Sequence, residues 1–214
     1  MYSLKKGKVI LTPPYKPWME EKLALALLHH PRLETFWERS LGREVQDGLR
    51  TMVPASWILD PRPIPPSAVI PGLLYQNKAV SDWSWLGEAS QKERHYVVKV
   101  SGFSDLAWGS RGVSIGHDMP LQQWKETLSR ALSTFETSPS ILQTFHKGRI
   151  VVVEYYESMT GAVRTMEGRV RLSPYYFVVN DRAELGGVLA TVCPKDKKLI
   201  HGMRDAVMVP CTVA

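Results

Sequence analysis

Two stretches of this sequence concentrate side chains suited to holding an anion. In the first, Val97-Val98-Lys99-Val100-Ser101-Gly102-Phe103 runs on to Trp108-Gly109-Ser110-Arg111-Gly112-Val113. A strand would hold the Lys99 ammonium in place, and glycines at 102, 109 and 112 would let backbone N–H groups approach phosphate oxygens closely. Ser101, Ser104 and Ser110 add hydroxyl donors, and Arg111 adds a planar charged fork suited to phosphate. The stretch is not a Walker A motif, because no Gly-Lys-Ser/Thr opens a helix, and it is not the dinucleotide fingerprint. In the second, Arg169 and Arg171 alternate with Val170 and Leu172, so on a strand both guanidinium groups leave one sheet face. Such a pair repels unless something anionic lies between, whether a carboxylate such as Glu154, a γ-phosphate or an acyl phosphate. Glu154, inside Val151-Val152-Val153-Glu154-Tyr155-Tyr156, reads either as a paired structural carboxylate or as a polar group facing a cleft. No Ser/His/Asp arrangement is recognisable, and neither cysteines nor histidines show zinc spacing. His29-His30 ends a helix without partners, and His201 reads as a loop histidine.

The elements that must position these groups follow from periodicity. Met19–His30 carries Leu23, Ala24, Leu27 and Leu28 at helical spacing and stops at Pro31. Leu33–Asp47 reads as a second helix with Phe36, Trp37, Leu41 and Val45 on an apolar face. Trp57–Pro71 is dense in proline, so it is expected to be extended and without regular pairing, a strap packed onto the core by Trp83, Trp85 and Leu86. Beyond it, Tyr96–Ser101 and Val113–Gly116 read as strands, Pro120–Phe135 as an amphipathic helix through Trp124, Leu128, Ala131 and Leu132, and Ile141–Phe145 as a strand. Lys147-Gly148 is a turn. Ile150–Tyr156 and Gly168–Val179 are the most β-rich segments, with Ser173–Phe177 ending in core packing. Asn180-Asp181 reads as a β-turn, Gly186-Gly187 as a break, and Val188–Val192 as a last strand.

Composition bounds the rest. The 214 residues, 44% hydrophobic and 22% charged, allow a packed core, as one domain or two small lobes. Met1–Val9 is basic and polar with no apolar core after it, and no apolar run reaches the ~18–20 residues of a membrane span. Two cysteines, Cys193 and Cys211, make no disulfide framework, and free thiols in the cytoplasm are expected. A net charge of +6 favours an anionic partner. Lys5, Lys6, Lys8, Lys195, Lys197 and Lys198 are scattered, and no basic stripe interleaves the tryptophans, which weighs against a nucleic-acid binder.

The order of these pieces resembles the ATP-grasp superfamily over roughly residues 50–210. In that family a small lobe supplies a strand-borne lysine and a Gly-rich loop over the phosphates, then a helix, then a strand written like Ile141-Leu142-Gln143-Thr144-Phe145 beside the adenine. The resemblance implies an α+β fold: a small lobe of strand–Gly-rich loop–strand–helix–strand packed against a larger antiparallel sheet lobe. The periodicity and proline content give a helical segment over 1–56 and a Pro-rich strap over 57–95, and the resemblance implies the small lobe over 96–148 and the large-lobe sheet over 149–214. It implies ATP and Mg2+, with Lys99, Ser101, Gly102, Gly109, Ser110, Arg111 and Gly112 on the phosphates, Gln143, Thr144 and Phe145 at the adenine, Glu154 in the cleft, and Arg169 and Arg171 stabilising developing charge. The implied reaction is ligation: ATP phosphorylates a small-molecule carboxylate, and an amine or thiol displaces the phosphate. The family's Glu-x-Asn metal motif does not occur, the asparagines being Asn77 and Asn180. The order of elements is similar to circularly permuted, glutathionylspermidine synthase-like members, in which the metal ligands precede the lysine strand. Such a segment would be reduced, fused to a different start, or carried on another polypeptide; alternatively, catalysis is lost and nucleotide or partner binding is kept.

Overall fold

The computed structural model describes residues 6–9, 17–107, 109–202 and 205–211. Lys5 and Trp108, singled out above, lie outside the described residues. The chain divides into two compact units, Met1–Phe145 and His146–Ala214. The sheets are antiparallel and the described helices all fall in the first unit, so the fold is α+β.

The first unit begins with a 3-10 turn at Pro17–Glu20 and three helices, α1 (Leu23–His29), α2 (Glu34–Leu41) and α3 (Arg43–Met52). After them come β1 (Ser56–Ile58), the hairpin β2 (Leu74–Tyr75) and β3 (Lys78–Ala79), a short α4 (Ser84–Gly87), β4 (Tyr96–Val100), β5 (Val113–Ile115), α5 (Leu121–Ser133) and β6 (Ser140–Thr144). Four strands form one sheet in the order β1-β6-β4-β5. Its two faces have different company, as the pleat requires. Val98 and Leu142 point to the face covered by α5, where Trp124, Leu128, Leu86, Leu59 and Leu73 form the core. The Trp124 indole is fully buried, and its Nε1–H donates to the Leu86 carbonyl at 2.8 Å. The opposite face carries Val97, Lys99, Ile141 and Gln143.

Three expectations change in this unit. The single helix over Leu33–Asp47 is two helices, because Gly42 takes φ 80° and turns the chain between α2 and α3. Its apolar face is not core, since Phe36 and Val45 are exposed and α2 buries no residue. The strap is paired at its start and in its middle. Ser56–Ile58 precedes Pro61 and keeps the N–H groups that pair with β6, while Gln76 and Asn77, at φ 49° and 60°, make the left-handed two-residue turn of the β2–β3 hairpin. The rest of the strap does pack through Ile70, Leu73, Trp83 and Leu86, whereas Trp85 is partly exposed.

The second unit is a meander, β7 (Ile150–Glu157), β8 (Ala162–Val179), β9 (Arg182–Pro194) and β10 (Val207–Cys211), in the order β10-β9-β8-β7. Asn180 and Asp181, at φ 50° and 62°, form the tight turn between β8 and β9. Gly186-Gly187 does not break the last strand. A bulge between Tyr175 and Tyr176 absorbs the irregularity, and the Phe177 ring lies where a Gly186 Cβ would sit, 2.5 Å from it. β10 was not expected because it contains Pro210, which is tolerated on an edge strand that pairs on one side only. Tyr175, Tyr176 and Phe177 are exposed rather than core-packed. Cys193 and Cys211 are free thiols. Among the described residues no helix is long and apolar enough to cross a membrane.

Candidate functional site

The strand pattern that turns Val98 into the core turns Lys99 to the other face, where its Nζ donates to Gln143 Oε1 at 2.6 Å. Gln143 is buried, and its Nε2 donates to Ser56 Oγ at 2.8 Å, which in turn donates to the Pro54 carbonyl at 2.8 Å. The relay fixes the amide so that oxygen, not nitrogen, faces the ammonium. Burial pushes the Lys99 pKa below its ordinary value, and the positive charge of Lys22 adds to the effect. Among the described residues the partner of this cation is a neutral amide, not a carboxylate.

The loop that follows is folded on itself. Ser104 N donates to Ser101 O, Ala107 N to Ser104 O, and Leu106 N to Ser104 Oγ. Gly109 and Ser110 take φ 63° and 62° at its far end. A Cβ on Gly112 would stand 2.3 Å from a Val100 methyl and 2.8 Å from the Leu106 carbonyl, so this return strand needs glycine. Arg111 donates to the Asp105 carbonyl at 3.0 Å and lines a cleft of about 460 Å3 with Val98, Ser104, Thr127 and Arg130. That cleft is on the Val98 face, so Arg111 and Lys99 serve opposite faces of the sheet.

The near end of the loop is on the Lys99 side. Ser101 Oγ–H and Gly102 N–H both donate to Glu21 Oε2, the second at 3.1 Å, and Ser101 Oγ accepts from Phe103 N at 3.2 Å. Glu21 Oε1 accepts from Leu23 N at 2.9 Å and so also tethers the start of α1. At the other end of the sheet, Thr144 and Phe145 donate their N–H groups to the carbonyls of Ala55 and His95, and the Phe145 ring meets His117 edge-on at 4.9 Å. The structure thus brings Lys99, Gln143, Ser101 and Gly102 into one neighbourhood and leaves Gly109, Ser110 and Arg111 at the loop's far end. A separate cleft of about 890 Å3 in this unit is an apolar groove lined by Trp57, Ile64, Val69, Trp83 and Phe135, with neither Lys99 nor any loop residue in it.

In the second unit, Arg169 and Arg171 do lie on one face of β8. Arg169 is committed to backbone: its Nε donates to Lys195 O at 2.9 Å and its Nη1 to Gly148 O at 2.7 Å. Arg171 is exposed. The register sets Glu154 opposite Thr165, four residues along β8 from Arg169, a separation of about 13 Å. Glu154 is therefore not the anion between the two arginines.

Sequence reading missed Glu21 and Ser56. Glu20-Glu21-Lys22 looks like an ordinary charged helix start, and nothing in its spacing announces a partner 80 residues away. Ser56 could have been found only by pairing β1 with β6. Among the described residues no group of three or more His, Cys, Asp or Glu is placed to hold a metal ion, so no protein ligand set for Mg2+ can be named. Compared with protein-family models, with curated proteins and with solved structures, the chain finds no match in any of the three.

Proposed function

We propose that this chain grips the phosphates of ATP on the Lys99 face of the first unit, in the manner of an ATP-grasp protein, and serves a carboxylate–amine or carboxylate–thiol ligase. The observation that carries the reading is Lys99 itself. A half-buried ammonium held by a neutral amide keeps part of its desolvation cost, and a phosphate oxygen arriving beside it offsets that cost. Gln143, anchored on Ser56, orients the ammonium; Ser101 Oγ–H and Gly102 N–H supply neutral donors of the kind that seat a phosphate oxygen. The order β4–loop–β5–α5–β6 supports the small-lobe assignment. ATP would supply the phosphoryl group that activates a carboxylate. The chain's own share is to hold charge in place, which is where phosphoryl transfer gains most. Mg2+ would accompany the nucleotide.

The test is calorimetry of ATP binding, with and without Mg2+, to wild type and Lys99→Ala. Micromolar binding that the substitution weakens about 10–100-fold is expected, the range for hydrogen bonds to a charged group. Absence of binding in wild type and in every variant that keeps Lys99 overturns the reading. The missing Glu-x-Asn in the sequence favours a second reading, in which the grip survives without turnover. Tight ATP binding with no ADP released across a panel of carboxylates, amines and thiols would select it.

A further inference from the structure

The loop donors assigned above to a phosphate already hold an anion, and it belongs to this chain. We infer that Glu21 is an internal occupant of the phosphate seat, so that the segment 17–22 must leave the loop before a nucleotide phosphate binds there. This rests on the phosphate grip proposed for Lys99 and the loop.

Two observations carry it. First, one carboxylate oxygen, Glu21 Oε2, receives both Ser101 Oγ–H and Gly102 N–H, and the Phe103 N–H donated to Ser101 Oγ leaves that hydroxyl aimed outward. Convergence of a hydroxyl and a backbone N–H on one oxygen is how a phosphate oxygen is held. Second, the segment lies directly on the glycine. A Cβ at Gly102 would stand 2.6 Å from the Glu20 carbonyl oxygen and 2.9 Å from its carbon, so any other residue would push the segment away. The segment therefore gives the loop donors an anion of their own chain, which competes with a bound phosphate for the same O–H and N–H groups. Glu21 Oε1, bonded to Leu23 N–H, couples its departure to the first turn of α1. A two-state equilibrium between seated and released segment lowers apparent nucleotide affinity by the released fraction.

The experiment compares ATP binding to wild type and Glu21→Gln by calorimetry, with Lys99→Ala beside them. Hydrogen exchange of wild type with and without saturating ATP is followed over 18–23 and 102–107. Glu21→Gln keeps the shape of the side chain and removes the competing charge, so affinity is expected to rise about tenfold. ATP is expected to speed exchange over 18–23 while slowing it over 102–107. Binding by Glu21→Gln alone, with none by wild type, would be the same result in stronger form. If wild type binds ATP through Lys99 but Glu21→Gln binds equally or more weakly, and exchange over 18–23 is unmoved, Glu21 is a structural tether; this inference is then wrong and the grip stands. If neither protein binds, the grip reading falls and this inference falls with it. Should Glu21→Gln fail to fold, the exchange measurement on wild type decides the matter alone.

Discussion

Four short strands in the first unit are sealed on one face by α5, with Trp124 and Leu142 fully buried; in the second unit the eighteen-residue β8 carries Val163, Leu172, Tyr176 and Val178 in the open. Both sheets use the same antiparallel pairing, so the contrast lies in what covers them. The first gains its stability from apolar area removed from water, on the order of 25 cal/mol per Å2. A rigid sheet of that kind can hold one polar group, Lys99, at a fixed spot on its other face. The second is held by long ladders and cross-strand pairs, which fix register while leaving many side chains of β8 exposed. Chemistry that depends on a distance of a few tenths of an ångström belongs on the first sheet. The second suits charge display, as at Arg171, or extended contact.

The contrast predicts a large penalty in the first core. Trp124→Ala should cost about 4 kcal/mol, because it leaves a cavity and removes the donor to the Leu86 carbonyl. Denaturant unfolding checks this, and a cost under about 1 kcal/mol would mean that α5 does not seal the sheet. In the second unit the greatest sensitivity should sit at a polar clip rather than an apolar side chain. Arg169→Ala removes two charged hydrogen bonds to the Gly148 and Lys195 carbonyls, and about 2 kcal/mol is expected. Arg169→Lys, with its single ammonium, should not restore both bonds. A neutral result for Arg169→Ala would return Arg169 to the set of charges free to meet an anion.

The first sheet was also the more legible of the two. Trp124, Leu128 and Ala131 at helical spacing marked α5, and the alternation around Lys99 marked β4, because in both cases burial dictates the pattern. Gly42 was unreadable as a break, since a glycine inside a periodic stretch is tolerated as often as it turns the chain. In the second unit burial dictates the pattern only over Ala190–Cys193 of β9 and little along β8. Gly186-Gly187 was taken for an interruption although the ladder crosses it, and Pro210 hid an edge strand that needs no N–H on its outer side. The site divided in the same way. Lys99 stands out in the sequence as a strand lysine before a Gly-rich stretch, whereas Gln143 enters only through the resemblance, at the adenine, and both its bond to Lys99 and the Glu21 contact depend on how distant segments lie together.

A smaller effect tests whether Lys99 is kept at a cost. Its pKa is lowered in the folded protein, so between that value and about 10.4 the unfolded chain binds more protons than the folded one. Stability contributed by this group therefore rises with pH across that window, and below it the full cost of the buried charge is present. Lys99→Met should raise Tm at neutral pH by about 2–4 °C, the equivalent of about 1 kcal/mol in a chain of this size, and should flatten the alkaline rise. A drop in Tm would mean that the ammonium–Gln143 bond stabilises the sheet on its own account, without an arriving anion.

The smallest effect is expected where the second sheet is most open. Val178 is 77% exposed near the tip of the β8–β9 hairpin, so Val178→Thr, which keeps the β-branch and changes only polarity, should alter stability by less than about 0.5 kcal/mol. The change is informative because β-propensity is nearly held constant, leaving burial as the variable. Chemical denaturation gives the number. If the cost instead exceeds about 2 kcal/mol, Val178 is covered in solution, since only a buried methyl group exchanged for a hydroxyl carries such a penalty. The two sheets would then differ not in the kind of stability they use but in where the covering layer comes from.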